Sequence, residues 1–557
     1  MPGRPAPNPS HPPLPPRPLT RVPRLLGALL LAVTAAGAGA AEAAPATSAA
    51  TAPAHAGPGP AADPLARVVP APASVTRGGS PYTLTGATRI RVPRDSAAAR
   101  RVGDQLAGLL RPSTGLRLPV TTAEGPDGIR LRLVTGRQAR ELGAEGYRLE
   151  TRARSATLTA RTPAGLFHGV QTVRQLLPAS VESRTRQAGP WQLPGGTITD
   201  VPRYAYRGAM LDVARHFFTV DQVKRYIDQL ALYKINKLHL HLSDDQGWRI
   251  AIDSWPRLAT YGGSTQVGGG PGGHYTKDDY REIVRYAASR HLTVVPEIDL
   301  PGHTNAALAS YAELNCDGVA PPLYTGTQVG FSSLCVPKEV TYDFVDDVLR
   351  EVAALTPGPY LHIGGDEAHS TSHEDYVAFM DRAQATVARY GKTVIGWHQL
   401  TAARPAKGAV AQYWGLTGRE KEVADAAKAG TKIILSPANR SYLDMKYTKD
   451  TPIGLEWAGL VEVKQSYDWD PGNYLRDAPA SAVLGVEAPL WSETISTSDQ
   501  IEYLAFPRLA GIAELGWSPA ARHDWNAYRV RLGAQGPRWS ALGIDYYRSP
   551  QVPWAER

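Results

Sequence analysis

Eight apolar runs follow one another between residues 208 and 491, and segments with helical spacing separate most of them. Short apolar runs are typical of buried strands, and strands that alternate with amphipathic helices are typical of a parallel sheet. Thr219 and Gln222 form a capping-box pattern ahead of one helix, and a second helical period covers residues 280–287. Eight strands predict a (β/α)8 barrel over residues 201–557. The predicted strands are Gly208–Val213, Lys237–Leu242, Thr293–Ile298, Tyr360–Ile363, Thr393–Trp397, Ala409–Trp414, Lys432–Leu435 and Ala482–Trp491.

The residues before the barrel follow a different pattern. Polar and apolar residues alternate over Ile129–Leu133 and Ala156–Ala160, and a helical stretch covers Gly165–Leu177. Strands and helices in this order predict a small α+β domain over residues 63–200. We assign this domain no catalytic role, because it has no cluster of acids or histidines.

The first residues have the features of an export signal. Four arginines precede an apolar segment that runs from Leu25 to about Ala40, and small residues follow it. This pattern predicts a signal peptide over residues 1–44 and a secreted, extracellular protein. The apolar segment is short for a membrane span. Residues 45–62 are rich in Ala and Pro, a composition that indicates a linker.

Composition excludes some functions and adds one covalent feature. The formal charge of +8 falls to +5 without residues 1–44, which hold four Arg and one Glu, and no basic patch interleaved with aromatics indicates nucleic-acid binding. Cys316 and Cys335 enclose 18 residues. In an exported protein, such a pair predicts a disulfide rather than a metal or redox site, with a contribution of about 3 kcal/mol.

A barrel makes a specific prediction about chemistry, because its active site is built at the carboxyl ends of the strands. Polar or aromatic side chains follow all eight predicted strands. Each one alone has an ordinary structural explanation, but eight at one face favour an active site. They are Arg215, Asp244 (with Asp245 as an alternative), His303, Asp366 with Glu367, Trp397, Trp414, Tyr442 with Asp444, and Trp491 with Glu493.

The fourth strand leads into the sequence His-Ile-Gly-Gly-Asp-Glu-Ala-His at residues 362–369. Adjacent carboxyl groups suit acid/base chemistry, because each disfavours ionisation of the other and one can stay protonated near neutral pH. Asp366 and Glu367 would also suit the first turn of a helix. Gly364 and Gly365 favour the active-site interpretation, because they let the backbone approach a ligand closely.

The His-x-Gly-Gly-Asp-Glu run at residues 362–367 resembles the signature of glycoside hydrolase family 20, the β-N-acetylhexosaminidases. Further motifs agree in the family's order over about residues 63–557, and the similarity is greatest to secreted actinobacterial members. The resemblance implies an exo-acting, retaining enzyme without a cofactor. It would hydrolyse terminal, non-reducing β-linked GlcNAc, or GalNAc, from chitooligosaccharides or glycans.

The resemblance also implies roles for individual residues. In this family the substrate's 2-acetamido oxygen attacks the anomeric carbon to give an oxazolinium intermediate. Glu367 would be the general acid, Asp366 would orient the acetamido N–H, and Tyr442 would hydrogen-bond the acetamido carbonyl. The remaining residues would line the pocket (Trp397, Trp414, Trp491), hold the ring hydroxyls (Arg215, Asp444, Glu493) and support the acid (Asp244, His303).

Two other functions remain open at this point. One is a carbohydrate-binding, catalytically inactive barrel. The other is a metal-dependent amino-sugar deacetylase, because His239 and His241 lie on one face of a strand, as metal-ligand pairs do. We expect no metal, since no histidine marks the sixth strand end. The expected partner is a carbohydrate with a terminal N-acetylhexosamine, without nucleic acid or membrane, and the sequence does not determine the preferred linkage or the oligomeric state.

Overall fold

The computed structural model describes residues 63–555. The predicted signal peptide (1–44) and linker (45–62) lie outside this range. Among the helices of the described residues, none combines the length and apolar character needed to cross a membrane.

The N-terminal part is a seven-stranded mixed sheet with strand order β1-β9-β6-β7-β5-β3-β4, packed against helices. The two predicted strands and the predicted helix are present here. The elements are β1 (Ser74–Arg77), β2 (Tyr82–Thr83), β3 (Ile90–Arg91), α1 (Ala97–Thr114), β4 (Val120–Thr121), β5 (Gly128–Leu133), α2 (Gly136–Leu142), β6 (Tyr147–Arg152), β7 (Ser155–Ala160), α3 (Pro163–Leu176), β8 (Gln192–Leu193) and β9 (Gly196–Asp200).

The second part is a closed barrel of eight parallel strands, and each of the eight predicted runs supplies one of them. The barrel closes where its first strand, β10, pairs with its last strand, β19, with Tyr206 opposite Gly485. The barrel strands are β10 (Tyr206–Asp212), β11 (Lys237–His241), β14 (Thr293–Glu297), β15 (Tyr360–His362), β16 (Thr393–Trp397), β17 (Val410–Tyr413), β18 (Lys432–Leu435) and β19 (Val483–Ala488); the hairpin β12 (Ser243–Asp244) and β13 (Gly247–Trp248) follows β11.

Helices surround the barrel, and the capping box predicted at Thr219 and Gln222 is formed. The α-helices between β18 and β19 are only four and five residues long, which explains why the sequence there shows no clear helical period. The helices are α4 (Val220–Leu232), α5 (Lys277–Ser289), α6 (Asn305–Ser310), α7 (Glu339–Leu355), α8 (His373–Arg389), α9 (Lys421–Lys428), α10 (Ala438–Ser441), α11 (Val463–Tyr467), α12 (Ser498–Ala505), α13 (Arg508–Trp517), α14 (Trp525–Gly533) and α15 (Gly536–Leu542).

A buried polar group joins the two parts. Asp200, at the end of β9, lies 3.2 Å from Lys234 Nζ on the barrel, and all of these atoms are buried. Trp517 Nε1 and the Tyr147 hydroxyl also donate to Asp200, at 2.9 and 2.7 Å. Because a buried charge without partners is costly, this group holds the sheet in a defined position on the barrel.

The predicted disulfide is formed between Cys316 and Cys335, which closes the loop between α6 and α7. Inside this loop Gly330 has φ +77°, and a Cβ at Gly330 would collide with His369 and lie 3.3 Å from the carbonyl oxygen of Glu367. The loop therefore packs directly against the turn that carries the Asp-Glu pair.

Candidate active site

The structure places every predicted site residue at or just after the carboxyl end of a barrel strand. Trp397 is the last residue of β16, and Trp414 directly follows β17. The longest separations from a strand end belong to His303, after β14, and to Tyr442 and Asp444, after β18. The carboxyl ends of all eight strands thus contribute to one face.

The turn after β15 holds its backbone in an unusual conformation. Gly364 and Gly365 have φ of +63° and +98°, and the non-glycine residue Glu367 has φ of +45°. The Gly365 N–H donates to Asp299 Oδ1 at 3.1 Å, and a Cβ at Gly364 would collide with the same carboxyl group. A left-handed conformation costs a residue such as Glu367 about 1–3 kcal/mol, a strain that proteins retain mainly at functional sites.

His303 contacts both members of the acidic pair. Its Nε2 lies 3.4 Å from Glu367 Oε2 and 3.7 Å from Asp366 Oδ2, and its Nδ1 lies 3.2 Å from Asp244 Oδ1. Asp245 is farther from His303, at 3.9 Å, and instead accepts hydrogen bonds from Ser332 and from the backbone of Asn305. Of the two aspartates that the sequence left open, Asp244 is therefore the one connected to the acidic pair through His303.

The electrostatics of the acidic pair follow from burial and from these contacts. Burial raises the pKa of Asp366 to about 6; the charge of His303 opposes this shift and the charge of Glu367 adds to it. Burial lowers the pKa of His303, but Asp244, Asp299 and Asp366 outweigh it and raise this pKa well above its ordinary value. The site therefore combines a cationic histidine with a carboxyl group that titrates in the mildly acidic range.

Arg215 lies on the other side of Asp244. Its Nη2 is 2.8 Å from Asp244 Oδ2, and its guanidinium carbon lies 4.9 Å from the centre of the Trp491 ring. Burial would raise the pKa of Asp244, but Arg215 and His303 hold it well below its usual range. Asp212, the last residue of β10, accepts hydrogen bonds from the backbone N–H groups of Arg215 and Ser492, so it fixes two of the loops around the site.

Aromatic side chains form a wall beside the carboxyl groups. The rings of Trp397 and Trp491 are 5.7 Å apart, and those of Trp491 and Tyr442 are 6.2 Å apart. Trp414 lies farther out and contacts Trp457 at 5.9 Å, which also lies 6.0 Å from Tyr442. Trp397 is fully buried whereas Trp457 is 51% exposed, so the aromatic wall extends from the barrel interior to the surface.

Asp444 and Glu493 add two carboxyl groups next to Trp491. The Trp491 backbone N–H approaches Asp444 Oδ1 at 3.5 Å, while Asp444 Oδ2 and Glu493 Oε2 are buried and have no hydrogen-bond partner among the described residues. Burial raises the pKa of Asp444 well above its ordinary value, and the nearby Glu493 adds to the shift. Unpaired buried acceptors are costly, so these two atoms are suited to receive ligand hydroxyl groups.

Residues with the chemistry of metal ligands also lie in the barrel interior. Ligand atoms of His239, Glu297 and His362 lie within 4.8 Å of one another, as do those of His303, Asp366 and Glu367. Both ring nitrogens of His239 and His241 are already within hydrogen-bond distance of carboxylates. The His-x-His pattern on β11 is therefore accounted for by a network of buried ion pairs.

Sequence reasoning missed four residues that shape the site, namely Asp212, Glu297, Asp299 and Trp457. Three of them end a strand or follow it within two residues, so the rule applied to the other strand ends could have found them. Trp457 follows β18 by more than twenty residues in an irregular segment, and only its residue type gave a signal.

A closed parallel barrel with carboxyl groups beside an aromatic wall fits the active site of a glycoside hydrolase. Residues 204–520 match the catalytic domain of glycosyl hydrolase family 20, and residues 65–201 match domain 2 of the same family. This chain belongs to glycosyl hydrolase family 20.

Named relatives agree with this assignment. The chain is 41% identical over 495 residues to a β-N-acetylhexosaminidase of Cellulomonas fimi, covering 88% of this chain and 98% of the relative. It is 71% identical to the structure of a β-N-acetylhexosaminidase from Streptomyces coelicolor A3(2), with a TM-score of 0.86 and coverage of 88% and 99%. It is 70% identical to a mutant β-hexosaminidase of Streptomyces plicatus in complex with its product GlcNAc, with a TM-score of 0.86 and coverage of 88% and 98%.

Proposed function

We propose that this protein is an exo-acting, retaining β-N-acetylhexosaminidase that releases terminal β-linked GlcNAc from chitooligosaccharides or glycans by substrate-assisted catalysis. The observation that carries the proposal is that Asp366 and Glu367 converge on one nitrogen of His303, at 3.7 and 3.4 Å. Two carboxyl groups on successive residues approach a bound sugar from one side. They are poorly placed to act as an acid and a nucleophile on opposite faces of the sugar, which supports the substrate-assisted route of this family, in which the substrate supplies the nucleophile.

In the first step, the acetamido oxygen of the substrate forms a bond to the anomeric carbon while the glycosidic bond breaks. Glu367 transfers its proton to the departing oxygen, which leaves as an alcohol, and the sugar becomes an oxazolinium ion. Ionised Asp366 accepts the acetamido N–H and stabilises the positive charge that develops there. The Tyr442 hydroxyl donates to the acetamido oxygen and holds it in attacking geometry.

In the second step, water attacks the anomeric carbon and the oxazolinium ring opens. The Glu367 carboxylate accepts a proton from this water, which restores the acid for the next cycle. Two inversions at one carbon give a product with the configuration of the substrate. His303, held by Asp244, lies 3.4 Å from Glu367 Oε2 and orients this carboxyl group.

The remaining residues fit recognition of one terminal sugar. Trp397, Trp491 and Trp414 offer apolar faces for the acetamido methyl group and the sugar ring. Arg215 is a donor, and the unpaired oxygens of Asp444 and Glu493 are acceptors for ring hydroxyls. Trp457, half exposed beside Tyr442, offers an aromatic face on the solvent side of the site.

A panel of aryl 2-acetamido glycosides tests this proposal. We expect turnover of the β-linked GlcNAc glycoside, free sugar as the product, retained anomeric configuration by NMR, and no loss of activity with a chelator. Release of acetate instead of the aryl alcohol, together with chelator sensitivity, would identify the metal-dependent deacetylase. Binding of GlcNAc without turnover of any glycoside would identify the inactive, carbohydrate-binding barrel.

We infer further that the protein is secreted and that residues 63–200 and 201–557 are its two domains. The pattern of residues 1–44, the disulfide between Cys316 and Cys335, and a carbohydrate substrate support an extracellular location. The N-terminal sequence of the protein recovered from culture medium should start near residue 45. Retention of the full chain inside the cells would contradict the inference.

A further inference from the structure

Glu297 ends β14 and is fully buried. Its carboxylate accepts hydrogen bonds from His239 Nε2 at 3.0 Å, His241 Nδ1 at 2.5 Å and Trp397 Nε1 at 2.8 Å. His362 Nδ1 lies 3.0 Å from the same carboxylate. Groups from three other barrel strands therefore lie around one buried anion, and its hydrogen bonds orient the rings of His239, His241 and Trp397.

One branch from Glu297 leads to the proposed general acid. His241 places its Nε2 2.7 Å from Asp244 Oδ2, and the other oxygen of Asp244 lies 3.2 Å from His303 Nδ1. His303 Nε2 in turn lies 3.4 Å from Glu367 Oε2. A chain of contacts thus connects Glu297 to Glu367, and every residue in this chain except Glu367 is buried.

A second branch leads to the pocket wall. The indole N–H of Trp397 donates to Glu297, and the Trp397 ring packs 5.7 Å from that of Trp491. His362 Nδ1, although 3.0 Å from this carboxylate, accepts the Gly364 N–H at 3.0 Å and therefore has no proton to donate to Glu297. The same carboxylate is therefore linked by hydrogen bonds to Glu367 through His241, Asp244 and His303, and to the aromatic wall through Trp397.

Glu297 is held in its charged form. Burial would raise its pKa, but the neighbouring rings of His362, His241 and His239 outweigh this effect and the pKa lies well below the ordinary value. A glutamine at this position would keep the shape but would present an NH2 group to some of these donors. At least one branch would then lose its acceptor.

We propose that Glu297 is a positioning residue that sets the geometry of Glu367 and Trp397 from inside the barrel. The inference rests on the roles proposed for those two residues. In this proposal Glu297 does not contact the substrate. It affects the reaction through His241, Asp244 and the Trp397 indole.

The barrel contains a matched control in Glu487, on β19. Glu487 is also fully buried, and it accepts hydrogen bonds from His239 Nδ1 at 2.8 Å, the Tyr206 hydroxyl at 2.7 Å and Gln412 Nε2 at 2.7 Å. None of these three partners contacts Glu367 or belongs to the aromatic wall. Because His239 also donates to Glu297, Glu487→Gln perturbs a comparable buried network that is one contact further from the site.

The experiment compares Glu297→Gln and Glu487→Gln in the full chain, with thermal unfolding midpoints and steady-state kinetics on aryl GlcNAc glycosides of graded leaving-group basicity. We expect Glu297→Gln to lower kcat by about 100-fold with KM changed less than about threefold, a loss of the size that follows from a displacement of about 1 Å in a reacting group. The loss should be larger for the more basic leaving groups, because they depend more on Glu367. Glu487→Gln should keep kcat within about threefold of the original protein.

Equal kcat losses in the two variants, or a Glu297→Gln variant with more than a third of the original kcat, would overturn the inference. If Glu297→Gln does not fold, His241→Asn replaces it: the amide can still donate to Glu297 but cannot reach Asp244, so kcat should fall mainly for basic leaving groups. Unchanged kcat in His241→Asn would overturn the acid branch. Absence of GlcNAc glycoside turnover by the original protein would instead contradict the proposed function itself.

Discussion

Two neighbouring carboxyl groups with unlike surroundings define the chemistry at the scale of single residues. The Asp366 side chain is 11% exposed and that of Glu367 is 27% exposed, while both lie close to His303 Nε2. Glu367, the more exposed group, can exchange protons with a leaving group and with water. Asp366, the more buried group, can accept a hydrogen bond from one fixed donor of a ligand. The sequence identified this pair because two acids follow two glycines at a strand end. The strand-end rule could also have found Glu297 and Asp299 as candidates, but it could not show that they act on Asp366, because a single acid at a strand end also fits a turn.

Replacement of the proposed acid gives the first prediction. Glu367→Gln keeps the shape of the side chain and removes its proton, so kcat/KM should fall by about 100-fold or more on glycosides with basic leaving groups. The loss should become smaller for leaving groups that depart without protonation, and KM should stay within about threefold. Kinetics over a series of aryl GlcNAc glycosides measure this. Equal losses across the whole series would rule out the acid role of Glu367.

The pH dependence of the reaction follows from the pKa of Asp366. Burial raises this pKa to about 6, so a fall in pH through this value protonates the carboxyl group and removes the charge that stabilises the acetamido nitrogen. We expect kcat/KM to decrease on the acid side, and also on the alkaline side where the pair loses its last proton, with apparent values that belong to the pair. Asp366→Asn should abolish the decrease of kcat/KM on the acid side of the pH profile, here called the acid limb. An acid limb that persists unchanged in that variant would show that another group controls it.

At the scale of elements, the turn after β15 is the part where backbone and chemistry depend on each other most. The eight strands were predictable because each is a short apolar run, buried on both sides of the barrel wall. The turn conformation was only partly predictable. Two glycines indicated backbone freedom, whereas no local signal indicated the positive φ of Glu367, whose carbonyl oxygen lies against the disulfide-closed loop at Gly330. The two α-helices between β18 and β19 were not predictable, because four or five residues are too few to show a period.

Gly364→Ala tests the role of this turn. Gly364 has φ +63°, and an added Cβ would collide with Asp299. We expect kcat/KM to fall by about 100-fold, because the displaced backbone would move Asp366 and Glu367, and a shift of about 1 Å in a reacting group costs about that much. Gly391→Ala is the matched control, since Gly391 has φ +70° and no atoms within 4 Å of the added Cβ. Gly391→Ala should lose about 1 kcal/mol of stability and retain full activity; equal kinetics in the two variants would refute the role of the turn.

At the scale of the whole molecule, the N-terminal sheet and the barrel share buried polar contacts centred on Asp200. The order of apolar and alternating segments was sufficient to predict a small α+β domain followed by a barrel. It did not reveal how the two are joined, because Asp200, Lys234 and Trp517 are far apart in sequence and each has an ordinary pattern around it. Contacts of this kind depend on three-dimensional packing that no local signal encodes.

Asp200→Ala tests this connection. Removal of one partner from a buried ion pair costs about 3–5 kcal/mol. With an unfolding entropy of about 2.1 cal/mol/K per residue, the unfolding midpoint should fall by about 3–5 °C. Glu141→Ala, which removes an exposed pair with Arg137, should cost less than about 1 kcal/mol. Calorimetry on both variants measures the difference, and equal midpoints would show that the Asp200 contacts do not stabilise the molecule.

The central claim is that the acetamido oxygen of the substrate is the nucleophile, and one series of substrates tests it most directly. Replacement of the acetyl methyl by CH2F, CHF2 and CF3 withdraws electron density from that oxygen in steps while the leaving group stays the same. The account predicts that kcat falls steeply along the series, by orders of magnitude from the acetyl to the trifluoroacetyl glycoside, because the attacking atom becomes a weaker nucleophile. A kcat that does not change along the series would contradict substrate assistance and would require a nucleophile or base from the protein.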